Sequence, residues 1–258
     1  MRHFWLVLFL TSLLYTTTQA KDIKVGVSPG EHAQIMEKVK EIAAKKGLNI
    51  NIIEFSDYIL PNQALANGEI DANSFQHKPY LSNQIADHAY DIVDVAYTIN
   101  SPMGIYSSKL KTFSQLPDNA SIAIPNDPTN GGRALLILAK KGVIKLKDGI
   151  GLKATPNDII ENSKKINFIE IDAAQLPRSL KDVDAAAINT NYAIEAGLKP
   201  SDAILREDKD GPYSNIIAVR TEDKDKDWVK ILIEAYHNDD IKKYILNNFK
   251  EGSIIPRW

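Results

Sequence analysis

Residues 23–55 read as strand, helix, strand, and that order leaves few folds open. Ile23 to Val27 alternates as a strand and Ser28-Pro29-Gly30 turns the chain. Ile35, Met36, Val39, Ile42 and Ala43 then recur at helical spacing until Gly47, and Ile50 to Phe55 is the next strand. Strands joined through a helix lie parallel, with a right-handed crossover, and the loops that face a ligand then sit at the strands' carboxyl ends. Pro61 to Ala66 continues as a short helix, with Ile70 to Ala72 and Ile92 to Ala96 as further strands.

A second α/β succession begins after Met103 to Ser107. Its strands are Ile122 to Ile124, Phe168 to Ile171 and Ala185 to Ile188, and Ile216 to Arg220 returns. Trp228, Ile231, Leu232, Ala235 and Tyr236 mark a helix, and Ile241 to Phe249 a last one. The acidic-basic run from Glu222 to Asp227 reads as a solvated turn before the first of these. The expected organisation is an α/β chain of two lobes with a cleft between them, where small-molecule sites concentrate. Residues 21–103 plus 220–258 form one lobe and 104–219 the other.

Residues 1–20 read as a secretory signal peptide. Arg2 supplies positive charge, Phe4 to Tyr15 is apolar but too short for a membrane span, and Thr18-Gln19-Ala20 is a small-residue cleavage site. The sequence has no cysteine, which excludes disulfides and a lipid-bearing thiol. The expectation is a soluble periplasmic protein without a lipid anchor. Lys and Arg number 31 against 33 Asp and Glu, with no basic block, so nucleic-acid binding is not expected.

Between Ile122-Ala123-Ile124 and the helical run ending at Gly142 stands Pro125-Asn126-Asp127-Pro128-Thr129-Asn130-Gly131-Gly132-Arg133. Asp127 is placed to cap a helix and Pro128 to occupy its first position. Free backbone N–H groups there attract anions, and Arg133, leaning back toward the helix start, could fork onto a carboxylate. The two glycines would let a ligand approach the backbone. An ordinary strand-to-helix turn with a surface arginine fits these residues equally.

Tyr58, Phe75, His77 and Tyr80 fall on loops beyond strand ends, where four rings could line an apolar slot; core positions for Phe75 and Tyr80 are the plainer alternative. Asn189 follows the Ala185–Ile188 strand and Asn215 opens the returning one. Their amides can serve both ends of a zwitterion or simply cap turns. No nucleophile elbow, zinc-protease helix or phosphate loop occurs, and His3, His32, His77, His88 and His237 are scattered. Neither an enzyme nor a metal site is expected.

Several long stretches together resemble the NlpA family of substrate-binding proteins. They are Phe55-Ser56-Asp57-Tyr58-Ile59-Leu60-Pro61-Asn62, Asp71 to Leu81, Pro125 to Asn130, Ile144 to Gly149, Gln175-Leu176-Pro177-Arg178-Ser179-Leu180, Ile188-Asn189-Thr190 and Pro212-Tyr213-Ser214-Asn215. The resemblance implies a two-lobed periplasmic-binding-protein fold of type II that encloses its ligand when the lobes close. It implies a non-enzymatic receptor that captures L-methionine and delivers it to the permease and ATPase of an ABC importer, as a monomer without a cofactor. A methionine-containing dipeptide or another small amino acid is the alternative ligand. Tyr58, Phe75, His77 and Tyr80 would contact the ligand side chain. Arg133, Asn189 and Asn215 would hold the head group, with Asn130 beside them. Many family members carry a cysteine after the signal peptide, where this chain has Lys21.

Overall fold

The computed structural model describes residues 20–258. The expected signal segment, apart from Ala20, lies outside the described residues. The strands are β1 (Lys21–Val27), β2 (Leu48–Glu54), β3 (Ala72–Ser74), β4 (Ile92–Asn100), β5 (Gly104–Tyr106), β6 (Ser121–Pro125), β7 (Lys145–Leu146), β8 (Ile159–Glu161), β9 (Asn167–Ile171), β10 (Ala185–Ile188), β11 (Leu205–Arg206), β12 (Ser214–Arg220) and β13 (Ile255–Pro256). The helices are α1 (Glu31–Ala44), α2 (Leu60–Ala66), α3 (Lys78–His88), α4 (Pro128–Lys140), α5 (Leu176–Ser179), α6 (Thr190–Glu195), α7 (Asp227–Tyr236) and α8 (Asp239–Asn248).

Two mixed sheets carry the two lobes. The first has the order β13-β4-β12-β3-β1-β2 and the second β11-β5-β10-β6-β9. β1 lies parallel to β2 and β3, as the strand–helix–strand order requires, and β6 lies parallel to β9 and β10. Ile35, Met36 and Val39 of α1 bury their stripe against Val25, Val27, Leu232 and Tyr236. In the second lobe Leu135 and Leu138 of α4 pack with Ile122, Ile124 and Ala185.

The chain passes between the sheets at 101–103 and again at 207–213. The second crossing lies earlier than the sequence suggests. β12, assigned to the 104–219 lobe apart from its last residue, pairs antiparallel with β3 and β4 in the first sheet. Its run of fully apolar residues suits a central strand of either sheet, so pattern alone does not choose between them. The turn at Glu222–Asp227 also differs from expectation. Asp223 is buried, and it binds Arg220 at 2.7 Å and Lys226.

Candidate functional site

The strand ends of both sheets meet at one narrow cavity. Its atom-free space is about 350 Å³. All eight side chains singled out from sequence line it: Tyr58, Phe75, His77, Tyr80, Asn130, Arg133, Asn189 and Asn215.

The aromatic side is built from the β2–α2 loop and from β3 into α3. Tyr58 lies 5.9 Å from Phe75 and 6.0 Å from Tyr80, ring centre to ring centre, and Phe75 and Tyr80 meet edge to face at 6.1 Å. Tyr80 is not on a loop: it stands in the first turn of α3, which carries Pro79 at its second position and which the His77 ring caps. Its hydroxyl donates to the Tyr58 carbonyl at 2.9 Å. Behind these rings Asn62, Asn73 and Gln76 form a buried amide network, with Asn62 and Gln76 joined at 2.8 and 2.6 Å. Three interlocked amides in a dry site fix the backbone that carries Phe75 and His77. From the other lobe Tyr192 packs 4.9 Å from Tyr58, and Tyr58 donates to the Asn191 side chain.

At the start of α4 the sequence expectation holds in part. Asp127 caps the helix, accepting from the Asn130 backbone N–H at 2.9 Å, and Pro128 follows. The glycines serve packing rather than ligand approach. A Cβ on Gly131 would sit 2.7 Å from the Pro125 carbonyl oxygen, and one on Gly132 2.4 Å from that of Leu152. Asn130 is a keystone: its Nδ2 donates to Asp127, and its Oδ1 accepts from Asn189 at 2.9 Å and from His77 Nε2 at 3.1 Å. Both of its polar atoms are thus engaged within the protein.

Arg133 is buried, and its fork is taken by Glu207. Nε donates to both Glu207 carboxylate oxygens at 3.0 and 3.1 Å, and Nη2 donates to Glu207 and to the Ser101 carbonyl. The guanidinium lies 4.3 Å from the Tyr213 ring centre. Ser101, Glu207 and Tyr213 all sit on the two crossings between sheets, so the cation is fastened where the lobes join. Nη1 makes no hydrogen bond among the described residues.

The His77 tautomer follows from its neighbours. Nδ1 accepts from the Tyr80 backbone N–H at 3.1 Å, so the proton resides on Nε2, which donates to Asn130. Burial, helped by the Arg133 charge, pushes its pKa down to about 3. In the unfolded chain it protonates near about pH 6.5. Below that value the unfolded chain takes up a proton that the folded chain refuses, so this residue lowers stability as pH falls and has no such effect above it. His77→Asn keeps a capping side chain without a titratable ring. Its melting temperature is expected to drop less than that of the wild type between about pH 7 and about pH 5. Equal drops in the two proteins would show that His77 protonates freely when folded.

Sequence reasoning missed Glu31, Ser101, Asn191 and Glu207. Glu31 opens α1 a short turn beyond the carboxyl end of β1, near the kind of position that pointed to Asn189, but an acid in a helix's first turn is ordinarily explained by the dipole. Within the cavity, polar atoms of both kinds lack protein partners among the described residues: Glu31 Oε2 and Asn189 Oδ1 as acceptors, Asn191 Nδ2 as a donor.

The chain's similarities agree with a binding cleft. It is 50% identical to a nutrient binding protein from Burkholderia cenocepacia whose structure holds methionine, with a TM-score of 0.89 over 92% of this chain and 100% of that one. The methionine binding protein MetQ is 46% identical, with a TM-score of 0.89 over 92% and 98%. A protein of Salmonella typhimurium named D-methionine-binding lipoprotein MetQ is 48% identical over 92% of this chain and 88% of its own length. These relatives are binding proteins, in line with the reading of a receptor rather than an enzyme. They overturn the expectation of a periplasmic protein without a lipid anchor, since the relative and the family are both named lipoproteins. That expectation rested on the missing cysteine, which bears on one attachment chemistry and not on how the family works. The family model for NlpA lipoprotein matches residues 23–258, and the chain belongs to that family.

Proposed function

We propose that the chain captures L-methionine in this cavity and passes it to the permease and ATPase of an ABC importer, acting as a monomer without nucleic acid. The observation that carries the reading is the division of one narrow cavity into an aromatic side and a polar side. Tyr58, Phe75 and Tyr80 offer faces and edges to a thioether, each contact contributing about 0.3–1.5 kcal/mol. Opposite them, Arg133 Nη1, Asn191 Nδ2, Asn189 Oδ1 and Asn215 offer donors and acceptors to an amino-acid head group. Hydrogen bonds to its charged groups are worth about 1.5–3 kcal/mol each. The head group therefore supplies most of the affinity and the rings supply selectivity. The similarity to a protein whose structure holds methionine supports the same assignment. The tight walls favour a single amino acid over a dipeptide.

Calorimetry with L-methionine, D-methionine and a methionine dipeptide tests this directly. Saturable one-to-one binding of L-methionine is expected, with the dipeptide far weaker; heat from the dipeptide alone would overturn the assignment. Phe75→Ala is expected to weaken L-methionine about tenfold while weakening the shorter α-aminobutyrate much less. Matched losses for both would place Phe75 outside the side-chain pocket.

A further inference from the structure

Resting on that reading, we propose that Glu31 is the seat of the ligand's α-ammonium group, so that the head group is held as a zwitterion between Glu31 and Arg133. Glu31 opens α1 and is fully buried against the cavity. One of its oxygens is occupied: Oε1 accepts from the Ser101 hydroxyl at 2.9 Å. The other, Oε2, has no partner among the described residues. A buried carboxylate oxygen without a donor is costly unless something supplies one.

Ser101 also fixes where the opposite charge lies. Its carbonyl accepts from Arg133 Nη2 at 3.0 Å, so one residue holds the anion through its side chain and the cation through its backbone. An α-amino acid carries its two charges on groups attached to one carbon. A buried acid and a buried arginine, both held by the one residue Ser101, place opposite charges close together on the wall of the same cavity. Arg133 turns its fork to Glu207 and keeps Nη1, while Glu31 keeps Oε2, and the cavity borders both residues.

The proton on Glu31 makes the idea measurable. Burial raises its pKa to about 7, against hydrogen bonds from backbone and Ser101 that pull it down. The groups around it do not titrate there. His32 lies 3.8 Å away, but burial lowers its pKa to about 4, so it is neutral. The phenols of Tyr58, of Tyr106 on β5 and of Tyr236 on α7, which sense the Glu31 charge, are all raised by burial. From α6 the neutral Thr190 and Asn191 complete the lining, with Arg133 across the cavity. An ammonium arriving at Oε2 favours the carboxylate, so binding releases a proton to solvent from the protonated fraction. Affinity for an amino acid then rises with pH across neutrality.

The test is calorimetry of the wild type and Glu31→Gln with L-methionine and with its 2-hydroxy analogue, which lacks the ammonium, at about pH 6, 7 and 8. Glutamine keeps the shape and the acceptor for Ser101. The variant is expected to bind L-methionine at least about tenfold more weakly at pH 8, with a flat pH profile. Its affinity for the hydroxy analogue is expected to match the wild type's. A variant that binds L-methionine as the wild type does overturns the role of Glu31 and leaves the methionine reading standing. Equal losses for both compounds mark a structural role and overturn it too. A wild type that binds neither compound overturns the methionine reading and this inference together.

Discussion

Arg133→Ala is expected to lose methionine binding by at least about a hundredfold and to be less stable by about 3–5 kcal/mol. The two losses have separate origins. Affinity falls because Nη1, the free edge of the guanidinium, no longer meets the ligand carboxylate. Stability falls because Glu207, nearly buried, loses the fork that neutralises it. Glu207→Gln separates them. It leaves the arginine in place, so methionine binding is expected to survive in large part while the urea midpoint falls. Arg133→Lys keeps a charge but not two parallel donors, and is expected to resemble the alanine variant more than the wild type. If Arg133→Ala binds methionine normally, the guanidinium serves only Glu207 and the crossings.

The sequence was most legible where one physical rule dominates. Apolar periodicity placed α1, α4 and α7, and the Asp127–Pro128 pair placed the start of α4 to the residue, because capping chemistry is local. Two- and three-residue strands such as β5, β11 and β13 carry too little pattern to read, and they exist only because a sheet edge accepts them. The site divides in the same way. Of the eight residues that line the cavity, Tyr58, Phe75, His77, Tyr80, Asn130 and Asn189 follow a strand end or open a helix, positions with a general reason to face a cleft, while Asn215 opens a strand and Arg133 stands in the second turn of α4. Glu207 was missed because Glu207-Asp208-Lys209-Asp210-Gly211 looks like a solvated loop. Its burial is set by Arg133, which lies far away in sequence. A pairing between distant charges leaves no local trace. It also changes what the arginine can do: a fork read as free for a ligand is mostly spent on the protein itself.

Among the contacts between the lobes, the one at Gly30 leaves no room for a side chain, and that gives the sharpest test of closure. Gly30 caps α1 in a backbone conformation, φ 86° and ψ −136°, that side chains disfavour. A Cβ there would lie 2.5 Å from the carbonyl oxygen of Asn191 and 3.0 Å from its Cα, on the first turn of α6 in the other lobe. Backbone cannot swing aside as a side chain does, so relief requires α1 and α6 to separate. Gly30→Ala is therefore expected to weaken methionine binding about ten- to a hundredfold, beyond a backbone strain of about 1–3 kcal/mol that lowers stability. Gly47→Ala is the control. It has a similar φ of 80° but nothing within 4 Å of its Cβ, so stability alone is expected to fall. The two variants should then share a loss in melting temperature and differ in affinity. That difference isolates the contact between lobes, since both positions have a positive φ but only Gly30 has a neighbour for the added Cβ to meet. Should Gly30→Ala bind methionine as tightly as Gly47→Ala, the approach of α1 to Asn191 is not needed to hold the ligand, and closure depends on the aromatic and amide contacts alone.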